Sequence, residues 1–167
     1  MRIIYFTHSL LSDWNHGNAH FLRGVLTELK AQGHDVQAYE PAGSWSAENQ
    51  RKDGGAEAAA GFRAAYPNLS SREYDAATLD LDAALADADL VLVHEWNDPA
   101  LVKRVGEHRA ERGGYKLLFH DTHHRAVTDA GGMAAYDLQH YDGVLAFGAV
   151  IRDLYLSRGW ADRKSVV

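Results

Sequence analysis

The sequence predicts one doubly wound α/β domain, a parallel sheet covered by helices on both faces. Three observations predict it. Short apolar stretches alternate along the chain with amphipathic ones, the rhythm of successive βα units. Runs such as Leu90-Val91-Leu92-Val93 are apolar without interruption, as strands buried on both faces must be. The chain also opens on a βαβ pattern, with a strand at Arg2–Thr7 and the tract Gly17 to Pro41 completing the unit.

The elements follow in order. In the helix expected over Asn18–Gln32, Leu22, Val25, Leu26 and Leu29 fall at i, i+3, i+4 and i+7 and form one packing stripe. Gly33 stands where a helix needs a left-handed terminal residue, and Val36–Tyr39 resumes an extended pattern. Ala42 to Tyr74 breaks the rhythm. It is rich in Ala, Gly and charge, and predicts one helix around Ala56–Tyr66 beside a mobile loop holding Trp45. Further strands are expected at Leu90–His94, Lys116–His120 and Val144–Phe147. Helices are expected at Leu79–Ala86, Pro99–Arg112, Gly132–Gln139 and Ala149–Arg158. There is no internal repeat.

Composition narrows the function classes. A chain of 167 residues suits a single domain able to bury one core. A formal charge of −6 argues against nucleic acid or an anionic membrane as the main partner. The absence of cysteine removes disulfides, thiolate zinc sites and cysteine nucleophiles. It fits a reducing compartment, and the expected localisation is cytoplasmic. No signal peptide is expected, because Met-Arg-Ile-Ile-Tyr leads straight into a strand, and no apolar run approaches the roughly 20 residues of a membrane span.

Ligands of doubly wound sheets bind beyond the carboxyl ends of the strands, and polar residues gather there. The first strand leads to Thr7-His8-Ser9 and then Asp13-Trp14-Asn15-His16-Gly17-Asn18. Two later strands end in His94-Glu95-Trp96-Asn97-Asp98 and His120-Asp121-Thr122-His123-His124. One histidine at a strand end is ordinarily a cap or a satisfied polar group, but three such ends converging on one rim form a site pattern. Trp14 and Trp96 suit either partial burial or stacking against sugar rings. His120, His123 and His124 resemble a metal cluster on paper, yet they follow a strand, where neighbouring side chains diverge, and no His-Glu-x-x-His accompanies them. The dinucleotide fingerprint Gly-x-Gly-x-x-Gly, the phosphate loop and the Gly-x-Ser-x-Gly elbow are all missing.

In this order the segments resemble the N-terminal, acceptor-side Rossmann-like domain of GT-B glycosyltransferases, especially the retaining group called family 4. The first loop and helix of that family read Gly-Gly, an amphipathic helix, then Gly-His-Glu/Asp-Val; here they are His16-Gly17 to Gly33-His34-Asp35-Val36. Its histidine-containing strand ends are matched by Val93-His94-Glu95-Trp96-Asn97 and by Phe119-His120-Asp121-Thr122. Its last strand and helix are matched by Tyr141 to Gly148 and then Ala149 to Gly159. The resemblance spans nearly the whole chain.

The resemblance implies a transfer of sugar from a nucleotide-sugar donor to a small-molecule or carbohydrate acceptor. Gly17 and Asn18 would meet the donor diphosphate through the open N–H groups of the helix start. His120 would stand at the reaction centre as the catalytic residue. Asp13, Trp14, His94, Glu95, Trp96 and Asn97 would line the acceptor side, Trp96 and Asn97 being added from position alone. Such enzymes stabilise the leaving diphosphate with backbone dipoles and basic side chains, so neither metal nor other cofactor is expected. The sequence departs from the family at His16, which replaces the first glycine, and it stops at Lys164-Ser165-Val166-Val167, where a linker to the C-terminal donor domain is expected. The expectation is therefore an acceptor half, 1–167, inactive without a donor domain. Two other readings stay open: a stand-alone or split-subunit binding domain that needs a partner chain, and a metal-dependent hydrolase using His94, His120, His123 and His124.

Overall fold

A computed structural model describes residues 1–10, 17–162 and 166. The chain divides into two compact units, Met1–Leu79 and Asp80–Val167. Each carries three parallel strands with helices between them, and the class is the α/β, Rossmann-like doubly wound one that the alternation predicts.

In the first unit the strand order is β3-β2-β1. Strand β1 (Arg2–Phe6) pairs with β2 (Asp35–Pro41), placing Ile3 opposite Val36 and Phe6 opposite Tyr39. Ile3, Ile4, Tyr5 and Phe6 are wholly buried, which accounts for the unbroken apolar run. Helix α1 (Gly17–Ala31) buries Leu22 and Leu26, while Val25 and Leu29 on the same stripe stay half-buried. Gly33 then adopts φ 82°, and the His34 N–H closes the end on the Leu29 carbonyl at 3.1 Å.

Two features of this unit differ from expectation. Trp45 does not sit in a loop but opens α2 (Trp45–Ala65), where the Ser44 side chain accepts a bond from the Ala47 N–H. The helix bends at Gly55, whose φ of 53° suits glycine. The extra strand β3 (Ser71–Tyr74) pairs with β2, Tyr74 lying opposite Pro41. Only Tyr74 of β3 is buried, and it meets the Phe6 ring edge-on at 5.8 Å. An edge strand with Arg72 and Glu73 in solvent has too little apolar pattern to be read from sequence.

The second unit has the order β4-β5-β6. It contains α3 (Leu81–Ala84), β4 (Leu90–His94), α4 (Pro99–Arg112), β5 (Lys116–His120), α5 (Arg125–Thr128), α6 (Ala130–Met133), β6 (Gly143–Leu145) and α7 (Gly148–Ser157). β4, α4 and β5 match the expected spans residue for residue. Asp98 caps α4 by accepting from the Ala100 N–H at 2.7 Å, with Pro99 in the first turn.

The helix expected over Gly132–Gln139 is absent; two single-turn helices stand at Arg125–Thr128 and Ala130–Met133, and only the first two residues of the expected span are helical. Asp129 caps α6 on the Gly132 N–H, and α6 ends before Tyr136, whose hydroxyl turns back to the Glu95 carbonyl. Tertiary bonding wins over a weak, glycine-paired helical pattern. Strand β6 ends at Leu145, so Phe147 precedes α7 instead of closing the strand, and 62% of its surface is exposed. Among the described residues no helix is long and apolar enough to cross a membrane.

Candidate functional site

The second unit builds a polar rim where β4 and β5 end. In register, His94 of β4 lies opposite His120 of β5, their rings edge-on at 6.1 Å. The Glu95 N–H bonds the His120 carbonyl at 3.0 Å, which carries the pairing one residue beyond the strands. The Asp121 N–H likewise reaches the Leu145 carbonyl of β6 at 3.0 Å. Both turns are thereby held by the sheet itself.

Below the rim runs a chain of side-chain bonds. His94 Nδ1 accepts from the Trp96 N–H at 3.3 Å, so its proton sits on Nε2 and is donated to Thr122 Oγ1 at 2.7 Å. The Thr122 hydroxyl donates onward to Glu95 Oε1 at 3.3 Å, and the Thr122 N–H reaches the same oxygen at 2.9 Å. Asp121 accepts from the His123 N–H at 3.0 Å and from the Tyr155 hydroxyl of α7 at 2.9 Å. Burial raises the carboxyls of both Glu95 and Asp121. Glu95, pressed further by the charge of Asp121, is pushed up to about 8.

An outer group stands over this chain. The Arg125 guanidinium lies 4.4 Å from the Trp96 ring centre, bonds the Glu95 carbonyl and the Tyr136 hydroxyl, each at 3.1 Å, and pairs with Asp129 at 2.9 Å. The close approach of Asp129 depends on Gly132, where an added Cβ would fall 2.3 Å from a carboxylate oxygen. The His123 ring meets Trp96 at 6.0 Å and His124 at 3.9 Å. Burial lowers His120 to about 4 and lowers His123 as well, so both imidazoles are neutral at pH 7.

The structure thus sorts the sequence candidates. His94, Glu95 and Asn97 are 1%, 0% and 4% exposed and are bonded within the protein, Asn97 donating to the His94 carbonyl at 2.8 Å. His120 and Trp96 are half-buried and reach the surface. Gly17 is exposed at the first residue of α1, and a Cβ added there would meet nothing within 4 Å. Asn18 follows it, half-buried. Asp13 and Trp14 lie outside the described residues.

Other polar groups escaped the sequence reading. In the second unit they are Arg125, Tyr136 and Tyr155, while Asp121 and Thr122 stood in the strand-end motif with no role assigned to them. In the first unit Arg23 of α1 is buried, donates to the Leu10 carbonyl at 2.7 Å and lies 4.9 Å from the Phe62 ring centre. Glu40, buried at the end of β2, accepts from the Leu10 N–H. Buried charge on a helix stripe was the available signal at Arg23, since arginine is seldom fully buried without a partner.

Chemically, the second-unit rim offers neutral imidazoles, an indole face and one fixed cation. That set suits hydrogen bonding and stacking to a polar ring. Among the described residues no group of three or more His, Asp or Glu side chains is arranged to hold a metal ion. Compared with family models, with curated proteins and with solved structures, the chain matches none of them.

Proposed function

We propose that the chain is the acceptor-side half of a nucleotide-sugar-dependent glycosyltransferase, working with a donor-binding half that forms the other wall of the cleft. The observation that carries this reading is His120. It is a neutral, half-buried imidazole at the carboxyl end of a parallel strand, opposite His94 of the neighbouring strand. A neutral ring there hydrogen-bonds a sugar hydroxyl or the acceptor without bringing charge to a centre that becomes oxocarbenium-like during transfer. Trp96 offers an apolar face to a sugar ring. The exposed start of α1 at Gly17 suits an anionic diphosphate, whose charge the helix dipole favours.

Imidazole NMR on the chain tests the reading. Simple methyl glycosides and nucleotide sugars, added singly at millimolar concentration, should move the His120 ring signals and the Trp96 indole signal together. Binding that leaves both unmoved, or no binding across the panel, contradicts it.

A further inference from the structure

Two acids meet inside the second unit with no cation between them. Glu95 is 0% exposed and Asp121 1%, and their carboxyls lie within hydrogen-bond reach of each other. Each oxygen can be accounted for. Glu95 Oε1 takes both donors of Thr122, while Oε2 is buried and receives none. Asp121 Oδ1 takes the His123 N–H and Oδ2 the Tyr155 hydroxyl. The nearest cation, Arg125, bonds the main-chain carbonyl of Glu95, not its carboxylate, and forms its ion pair with Asp129. Two full charges in this dry space would repel at short range and leave Oε2 without a donor.

We propose that Glu95 and Asp121 hold a single proton between Glu95 Oε2 and Asp121, and that this proton is a latch joining the turns after β4 and β5 to α7. Glu95 contributes the first turn, Asp121 the second, and Tyr155 ties Asp121 to the helix. The groups facing the pair are few. From β4 comes His94, acting through Thr122; from the β5 turn, His123, whose main-chain N–H bonds Asp121 and whose ring feels the Asp121 charge; from α5, Arg125, whose charge acts on Glu95 without a bond to its carboxylate. Tyr136 follows α6 and bonds the Glu95 carbonyl, and α7 brings Tyr155. None of them supplies a positive charge in contact with either carboxylate. Removing the proton sets two anions against each other in the turns that carry Trp96 and His123, and the rim loosens on the alkaline side. The latch does not depend on glycosyl transfer and belongs to the fold whatever ligand the rim receives.

The test uses carboxyl-labelled chain and Glu95→Gln, whose amide oxygen keeps the Thr122 bonds and whose N–H replaces the shared proton. From pH 5 to 9.5, one carbonyl-carbon signal missing from E95Q should hold the protonated position at pH 7 and move only at alkaline pH. The Thr122 and His123 amide signals should move with it in the native chain and stay still in E95Q. A Glu95 signal already at the carboxylate position at pH 6 overturns the proposal, as does the same amide titration in E95Q. Should E95Q fail to fold, Asp121→Asn serves instead. Its amide can donate to Oε2, so the alkaline step should move to lower pH by about one unit or more. A step that stays in place in D121N overturns the proposal.

Discussion

Tyr155 on α7 donates its hydroxyl to Asp121 Oδ2 across 2.9 Å, and both side chains are 1% exposed. This bond links a helix to the turn that follows β5, 34 residues earlier in the chain. Tyr155→Phe keeps the ring and removes only the donor. A buried carboxyl oxygen then lacks a partner, and the expected loss is about 1–3 kcal/mol in urea unfolding. A loss under about 0.5 kcal/mol would mean that the bond adds nothing beyond packing.

His94→Ala should cost more. The imidazole joins the Trp96 main chain to Thr122 from a site 1% exposed, so its removal breaks two hydrogen bonds and leaves a cavity. About 3–5 kcal/mol is expected from the two effects together. Chemical denaturation reads it, with the midpoint falling while the slope holds.

Gly33→Ala probes the end of α1. A Cβ there meets nothing within 4 Å, so the cost is backbone strain alone at φ 82°. About 1 kcal/mol of destabilisation is expected. An unchanged melting temperature would show that the turn relaxes without loss.

The pH dependence of stability has a worked sign. His120 falls from 6.5 to about 4 on folding, so the folded chain binds fewer protons than the unfolded one between those values. Its contribution is present above 6.5 and lost as pH falls toward 4. Glu95 rises from 4.5 to about 8, so the folded chain binds more protons there, and its contribution declines as pH climbs through that window. Each group gives a slope of up to about 1.4 kcal/mol per pH unit. From 4.5 to 6.5 the two slopes oppose each other. From 6.5 to about 8 His120 no longer contributes, the Glu95–Asp121 pair gives up its proton and stability falls. In E95Q the fall above 6.5 should vanish and a rise from pH 4 to 6.5 should emerge. Melting curves in buffers of constant ionic strength measure both, and a native profile that rises between 6.5 and 8 contradicts the assignment of Glu95.

The elements legible in the sequence were those with a repeated local signal. α1 showed its stripe at Leu22 and Leu26 and its stop at Gly33; α4 showed Asp98-Pro99 at its start. β3 was illegible because Arg72 and Glu73 face solvent and Tyr74 alone is buried. The helix over 132–139 failed because Tyr136 is drawn to Glu95, a contact 41 residues apart that no local window contains. The rim followed the same rule. His94, Glu95 and His120 stood out at strand ends, but pattern reading cannot tell that His94 and Glu95 turn inward while His120 stays half-buried. The Glu95–Asp121 pair needs the register of β4 on β5, and Tyr155 needs the path of α7.

Glycosyl transfer is the central claim, and nucleoside diphosphate release tests it most directly. The natural protein purified from its own cells, with nucleotide sugars and a panel of sugar, lipid and phenolic acceptors, should release diphosphate in an acceptor-dependent way. His120→Ala should lower that turnover at least about tenfold with the melting temperature kept, the loss of one positioned group at a reaction centre. No acceptor-dependent release from any donor, or near-native turnover in H120A, would contradict the account.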